Sequence, residues 1–255
     1  MKTYGRTQFI GLCLALLLAG SAYSQGLYWE STTTGGPLKD KENISQTYAM
    51  PKMFKIVNTQ GVMILRMDQE KIYNVDIAKK TYSEMTFADM EAYAKKASDK
   101  MAQFREKIKN LPPEQRKQME AMGGMMGAGA EGPVDVSATG EKRTISGFAC
   151  TRYIMKRGDK EMMTLWVTKD VTGYDNLRRD LMEFGKRTAA LMNMTGMSEA
   201  YQKIDGFPME TDMDMMGKMT MVVTKVEKRS TAAGEFNVPA GFTKTDSPLA
   251  GKPGQ

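Results

Sequence analysis

The sequence predicts an α+β fold in which an antiparallel β-sheet carries two main helices on one of its faces. Short runs rich in β-branched and aromatic residues follow one another, with turn residues between them. Two longer segments instead carry apolar residues at intervals of three and four. Regular short strands with tight connections are typical of antiparallel sheets, and helices laid on one face of such a sheet make an α+β domain.

Six strands are predicted before the first helix. Their bounds are Leu27–Thr33, Asn43–Met50, Met53–Thr59, Val62–Met67, Lys71–Asp76 and Lys80–Met85. The connections are short and turn-like, as in Gly35-Gly36-Pro37 and Gln60-Gly61. Glycine and proline at these places mark chain reversals, so the six strands are predicted to form a meander.

The first helix has a clear predicted start. Thr86 can cap it, and Asp89 follows three residues later as in a capping box, with Met85 and Met90 placed as a hydrophobic staple. Its apolar positions are Phe87, Met90, Ala94, Ala97, Met101, Phe104, Ile108 and Leu111. This single seam favours a helix packed on the sheet, and Pro112-Pro113 ends it.

The second half repeats this plan with fewer strands. A second short helix is predicted over Glu114–Met122, and a flexible Gly/Met loop over residues 123–133. Four strands follow, at Val134–Ala138, Lys142–Ser146, Phe148–Arg157 and Lys160–Thr168. The next predicted elements are a helix at Tyr174–Met194, a short helical turn at Ser198–Ile204 and two closing strands.

The N-terminus predicts export. Lys2 and Arg6 precede an apolar run from Phe9 to Leu18, and Ala22-Tyr23-Ser24 forms a small-x-small cleavage site. Residues 1–24 therefore read as a signal peptide, residues 25–243 as a single α+β domain, and residues 244–255 as a disordered tail. The mature chain is expected to be periplasmic or secreted, with no transmembrane segment.

Composition excludes several kinds of chemistry. The chain has no histidine, so Ser-His-Asp and Cys-His catalysis and the common histidine-based metal sites are ruled out. Only Cys150 remains after cleavage, in an apolar stretch typical of a buried thiol. The formal net charge is +6, and the basic residues are interspersed with acidic ones. This pattern does not predict a nucleic-acid partner. We expect a protein that is not an enzyme and has no cofactor.

The most unusual stretch of the sequence runs from Gly206 to Lys228. Methionine or valine occupies most odd positions and polar residues lie between them, so an extended backbone would put thioethers on one face. A hairpin turn is expected near Met216-Gly217-Lys218. A three-residue loop would keep the odd positions of both strands on one face, whereas a two-residue loop would separate them. The two-residue loop is the commoner type, and we favour it here.

The chain contains 25 methionines, for which three interpretations stay open. Methionine fills irregular gaps in cores, lines adaptable apolar grooves, and binds soft ions such as Cu(I) through its thioether. Core packing is the commonest of these roles. The soft-metal alternative would use Met213, Met215, Met219 and Met221.

Three segments together resemble a family of exported bacterial proteins known as a domain of unknown function. They are residues 50–85 (MPKMFKIVNTQGVMILRMDQEKIYNVDIAKKTYSEM), residues 144–155 (TISGFACTRYIM) with 164–170 (TLWVTKD), and residues 206–242. The order of strands and helices is also similar to the LolA/LolB/LppX type of fold. That resemblance implies an unclosed, curved half-barrel of about 10–12 strands whose helix-covered apolar face holds acyl chains.

Sequence and resemblance together predict a binding protein with an apolar site between sheet and helices. The expected occupant is a lipid-like ligand or a lipidated or hydrophobic partner segment. The alternatives are the soft-metal site and a structural cell-envelope protein without a ligand. The residues predicted to line the apolar site are Met90, Met101, Phe104, Leu181, Phe184, Met213, Met215 and Val222.

Overall fold

Twelve strands form a single open sheet in the computed structural model, which describes residues 24–38, 41–112, 114–115, 133–188, 197–214 and 217–247. The strands are β1 Ser24–Gly35, β2 Asn43–Met50, β3 Met53–Asn58, β4 Gly61–Arg66, β5 Lys71–Asp76, β6 Thr81–Thr86, β7 Asp135–Ile145, β8 Phe148–Arg157, β9 Lys160–Thr168, β10 Phe207–Asp214, β11 Lys218–Thr231 and β12 Thr243–Thr245. The helices are α1 Phe87–Lys109, α2 Tyr174–Thr188 and α3 Met197–Gln202, with 3-10 turns at Gly36–Leu38 and Ala233–Phe236. The predicted α+β class is confirmed.

The spatial order of the strands is β12-β6-β5-β4-β3-β2-β1-β11-β10-β9-β8-β7. All neighbours are antiparallel except β12, which pairs in parallel with β6. β7 and β12 lie at opposite ends of this order, so the sheet does not close on itself. The meander and the later strands meet where β1 pairs with β11.

Two strand predictions need correction. Val134–Ala138 and Lys142–Ser146 are one strand, β7, whose pairing with β8 is interrupted between Ala138 and Lys142. The tail predicted to be disordered from residue 244 contains strand residues, because Thr243–Thr245 pairs with Thr81–Ser83 of β6. The predicted signal peptide except Ser24, which begins β1, lies outside the described residues. So do all but two residues of the helix predicted at Glu114–Met122 and nearly all of the 123–133 loop.

The predicted capping box at the start of α1 is confirmed. The Asp89 backbone N–H donates to Thr86 Oγ1 at 3.0 Å, and the Thr86 backbone N–H donates to Asp89 Oδ2 at 2.9 Å. The Thr86 hydroxyl also donates to Asp89 Oδ2, at 2.7 Å. These hydrogen bonds hold the pKa of Asp89 below its usual range.

Replacement of the cap should weaken the start of α1. We expect Thr86→Ala to lower the free energy of unfolding by about 1 kcal/mol at neutral pH, and Thr86→Ser to change it little because the hydroxyl is kept. Because the pKa of Asp89 is lowered in the folded chain, its contribution is present above the unfolded pKa and is lost as pH falls through the folded one. Urea unfolding at neutral and acid pH measures both effects. An alanine variant as stable as wild type at neutral pH would contradict the role of the cap.

The sheet buries apolar side chains on both faces. On the helix side, one row of directly paired residues crosses six strands, from Leu27 through Ala49, Phe54, Leu65 and Ile72 to Met85. Phe87 and Met90 of α1 and Leu177 of α2 belong to the same buried cluster. On the opposite face Ile64 packs with Met50, Val75 and Phe236 of the C-terminal segment.

Helix α2 is tied to the ends of the meander strands. The Lys52 backbone N–H, in the β2–β3 turn, donates to Asp180 at 2.7 Å. Arg187 contacts Glu70 of the β4–β5 turn at 2.6 Å and Glu91 of α1 at 2.9 Å. The Phe87 and Phe184 rings lie 5.4 Å apart between α1 and α2. Both main helices therefore lie on the same side of the sheet.

Candidate ligand pocket

An apolar pocket of about 300 Å³ lies between α2, α3 and the strands β9 and β10. This volume is at the lower end of the range of small-molecule sites, roughly 300–1,000 Å³. The residues that line it are Leu165, Tyr174, Arg178, Leu181, Met182, Gly185, Tyr201, Ile204, Gly206 and Pro208. Apolar and aromatic side chains with one charged group at the edge are the usual composition of such sites.

Helix α2 has two adjacent stripes, one that packs in the core and one that faces the pocket, with Tyr174 of the second stripe contacting both. Leu177, Leu181 and Phe184 point into the cluster beneath the helix. Positions 174, 178, 182 and 185 follow a parallel helical spacing of four, four and three, and this second stripe faces the pocket. Leu181 lies on the border and contacts both. The helix therefore covers the sheet with one stripe and walls the pocket with the other.

The floor of the pocket depends on a glycine and a bulge at the start of β10. Gly206 has φ +131°, and a β-carbon there would lie 2.3 Å from Thr168 O, so no other residue fits. The pairing of β10 with β9 shifts between Pro208 and Glu210, which leaves Met209 as the extra residue. Met209 is fully buried, whereas Pro208 borders the pocket beside Leu165.

Two tyrosines give the pocket uncharged walls. Burial raises the pKa of Tyr174 to about 12, and burial also raises the pKa of Tyr201. The Tyr174 ring meets Phe207 edge-on at 4.9 Å, and the Tyr201 hydroxyl donates to Met163 Sδ at 3.1 Å. Both phenols stay neutral near neutral pH, so these walls present rings and no charge to the pocket.

The rim of the pocket carries the charges. Arg178 Nη2 donates to the Gln202 carbonyl at 2.9 Å, and its Nη1 lies 3.6 Å from Asp205. Lys169 contacts the other Asp205 oxygen at 2.5 Å and, with Arg178, holds the pKa of Asp205 below its usual range. A guanidinium has five N–H donors, of which the hydrogen bond to Gln202 uses one. Two cations therefore face one carboxylate beside the pocket, and of these three residues Arg178 lines it.

The residues predicted to line an apolar site are not all brought together. Leu181 lines the pocket, while Met90 and Phe184 pack in the core beneath the helices. Phe104 is 38% exposed on α1. The side chain of Met101 and all of Met215 lie outside what the structure describes. Met213 and Val222 are placed by the register of the β10–β11 hairpin.

That register corrects the favoured two-residue loop. Met213 lies opposite Met219 and Asp214 opposite Lys218, so three residues, 215–217, connect the strands. Met213, Met219 and Met221 therefore share one face, and Val222, opposite Glu210, lies on the other. Met213 packs beside the pocket wall with Met163 and Tyr201, whereas Val222 packs against the larger core cluster.

Most residues of the pocket were not predicted from the sequence. Tyr174 was predicted only as the first residue of the helix at Tyr174–Met194, and Arg178, Met182, Gly185 and Tyr201 were not predicted as site residues. Their spacing was visible in the sequence, but an arginine and a glycine interrupt its apolar character. In the part of the chain that the structure describes, no helix combines the length and the apolar character needed to cross a membrane.

Comparison with known proteins gives a match to one family model. A family model described as "Domain of unknown function (DUF4412)" matches residues 117–242. No curated protein matches the sequence.

The structure is similar to three solved structures at low identity. They are MucB in complex with MucA(peri) (6% identity, 86% of this chain and 56% of that chain, TM-score 0.38), MucB alone (8%, 88% and 60%, TM-score 0.38) and a LolA superfamily protein from Nitrosomonas europaea (7%, 84% and 90%, TM-score 0.27). The chain spans less than two thirds of the length of the two MucB chains. Likeness at these TM-scores carries no argument about ligand or partner. The DUF4412 match bears out the resemblance to a family known as a domain of unknown function, and the matched residues 117–242 include every residue of the pocket.

Proposed function

We propose that this chain is an exported, non-enzymatic binding protein that holds a lipid-like ligand in the pocket between α2, α3 and strands β9 and β10. The observation that carries the proposal is the pocket itself, an apolar space of about 300 Å³ with neutral aromatic walls. Burial of apolar surface stabilises a complex by roughly 25 cal/mol for each Å² removed from water. A chain of methylene groups would gain most from such walls.

The rim supports a ligand with an anionic end. Arg178 belongs to the pocket lining and keeps donors that its contacts with Gln202 and Asp205 do not use. Lys169 adds a second positive charge beside Asp205. A carboxylate at the mouth could accept hydrogen bonds from the guanidinium while its aliphatic chain occupies the pocket. A fatty acid has this chemistry, and so does an acidic lipid.

The pocket supports binding more than catalysis. Its lining offers two neutral phenols, one arginine and apolar side chains, and none of these is a nucleophile paired with a base. The buried thiol of Cys150 has a raised pKa because burial disfavours the thiolate, so it is poorly suited to nucleophilic attack. The proposal therefore assigns the protein a carrier or sensor role for its ligand.

A fluorescent fatty acid tests the proposal on the full chain. We expect saturable binding, displacement by an unlabelled fatty acid, and weaker displacement by the fatty alcohol of the same length, because the alcohol lacks a carboxylate for Arg178. An Arg178→Met variant should bind the acid and the alcohol about equally well. Absence of saturable, displaceable binding would leave a protein without a lipid ligand and overturn the proposal. If the acid and the alcohol displaced the probe equally well from the wild type, the proposal that the ligand has an anionic end would be contradicted.

A further inference from the structure

Four methionines lie side by side in one row across four neighbouring strands. Met155 of β8 is paired with Met163 of β9, Met163 with Met213 of β10, and Met213 with Met219 of β11. Met221 lies two residues beyond Met219 on the same face of β11. The face is the one covered by α3, since Met213 and Met163 pack with Tyr201. The row concentrates thioethers at the turn end of the β10–β11 hairpin.

Burial divides this set into two groups. Met155 is fully buried and Met163 is 4% exposed, and the sulfur of Met163 already accepts a hydrogen bond from the Tyr201 hydroxyl. Met155 and Met163 are therefore core residues that pack against their neighbours. Met213, Met219 and Met221 are only half-buried, so part of each side chain is exposed to solvent.

The three half-buried methionines form a compact triangle. Residues directly opposite in an antiparallel pair have β-carbons about 5 Å apart, which applies to Met213 and Met219. Two residues along one strand, as for Met219 and Met221, are separated by about 7 Å. The diagonal from Met213 to Met221 is of similar length, roughly 7 Å. Three flexible thioether side chains projecting from such a triangle can converge on one ion.

Their chemistry selects a soft cation. A thioether is a soft ligand without a proton to lose, and it prefers Cu(I) to the harder divalent ions. The chain has no histidine to compete, and among the described residues no cluster of histidine, cysteine or carboxylate side chains could hold a metal. Asp212 and Asp214 alternate with Met213 and point to the other face, where Asp212 accepts from the Thr220 hydroxyl at 2.6 Å. The three side chains of the triangle therefore contribute thioether sulfur as their ligand atoms.

We propose that Met213, Met219 and Met221 form a thioether site for one soft monovalent cation, Cu(I) or its chemical mimic Ag(I). The site adjoins the ligand pocket through Met163 and Tyr201 but uses other residues. It is independent of the lipid proposal, and either can fail without the other. The three-residue connection makes the site possible, because a two-residue loop would have placed Met213 on the face opposite Met219 and Met221.

Competition with a Cu(I) chelator measures the site on the full chain. We expect Met213→Leu/Met219→Leu/Met221→Leu to weaken Cu(I) binding by more than about tenfold, because leucine keeps the apolar volume and removes the sulfur. A matched triple variant of half-buried methionines in the meander, Met53→Leu/Met67→Leu/Met85→Leu, should bind as wild type does. Thermal unfolding of both apo variants checks that each is folded. If the two triple variants bound Cu(I) with equal affinity, the proposed thioether site would be contradicted.

Methyl NMR locates the ion directly. In a chain labelled at the methionine ε-methyl carbons, Ag(I) should first shift the resonances of Met213, Met219 and Met221, which the single leucine variants assign. Affinity should not change between mildly acid and neutral pH, since thioethers do not titrate, whereas carboxylate ligands would release the ion on acidification. Shifts spread over other methionines, or affinity that falls with pH, would contradict the site. A Gly185→Phe variant, in which a ring fills the pocket, should keep its Cu(I) affinity.

Discussion

Gly185→Phe is expected to abolish lipid binding without destabilising the chain. Gly185 lies on the pocket stripe of α2, and a β-carbon at this position would meet no atom within 4 Å. Its φ is not in the left-handed region, so a side chain costs no backbone strain. The phenylalanine ring would occupy space that the ligand needs. We expect affinity for the fluorescent fatty acid to fall by more than about tenfold, or 1.4 kcal/mol.

Gly185→Ala is the matched control for this variant. Glycine within a helix costs about 0.5–1 kcal/mol relative to alanine, so the alanine variant should be slightly more stable than wild type. A single methyl group leaves most of the pocket open, and binding should be largely kept. If the phenylalanine variant is folded and still binds as wild type does, the ligand lies elsewhere and the assignment of this pocket is wrong.

Phe236→Ala is expected to lower the free energy of unfolding by about 3–5 kcal/mol, more than any other substitution considered, because it removes a fully buried ring and leaves a cavity. Phe236 packs on Met50, Ile64 and Val75, on the sheet face opposite the helices. Arg66 ties the same segment down through Asn237 Oδ1 at 2.7 Å and is paired with Asp68 at 2.7 Å. Urea unfolding measures the effect.

Phe236→Leu keeps most of the volume and should cost much less than the alanine variant. The pocket lies on the other side of the sheet, so the folded fraction of Phe236→Ala should bind the fatty acid with wild-type affinity. An alanine variant that loses less than about 1 kcal/mol would show that the C-terminal segment does not contribute to the core.

The sequence predicted what depends on local patterns. The α1 cap follows from Thr86 and Asp89 alone, and most strands follow from alternation bounded by glycine and proline. The register of the β10–β11 hairpin does not follow from local patterns. Turn preference favoured a loop of two residues between the strands, whereas burial of side chains favoured a loop of three. In the observed register Met213 packs with Met163 under α3, and burial of that whole face outweighs the preference for a tighter turn.

The pocket was the least predictable part. It needs the second stripe of α2, the approach of α3, and the bulge at Met209, and each depends on contacts between distant segments. The closing strand β12 was missed for a similar reason. Its three exposed residues show no pattern of burial, and only the pairing with β6 defines it as a strand.

Mass spectrometry of organic extracts tests the central claim most directly. Wild-type chain and the Gly185→Phe variant would be exported by the same bacterial host, purified in parallel without detergent and extracted. We predict a fatty acid or acidic lipid in near-stoichiometric amount in the wild-type extract and little of it in the extract of the variant. Extracts of two folded proteins that contain no lipid, or the same amount of lipid, would contradict a ligand pocket between α2, α3 and the sheet.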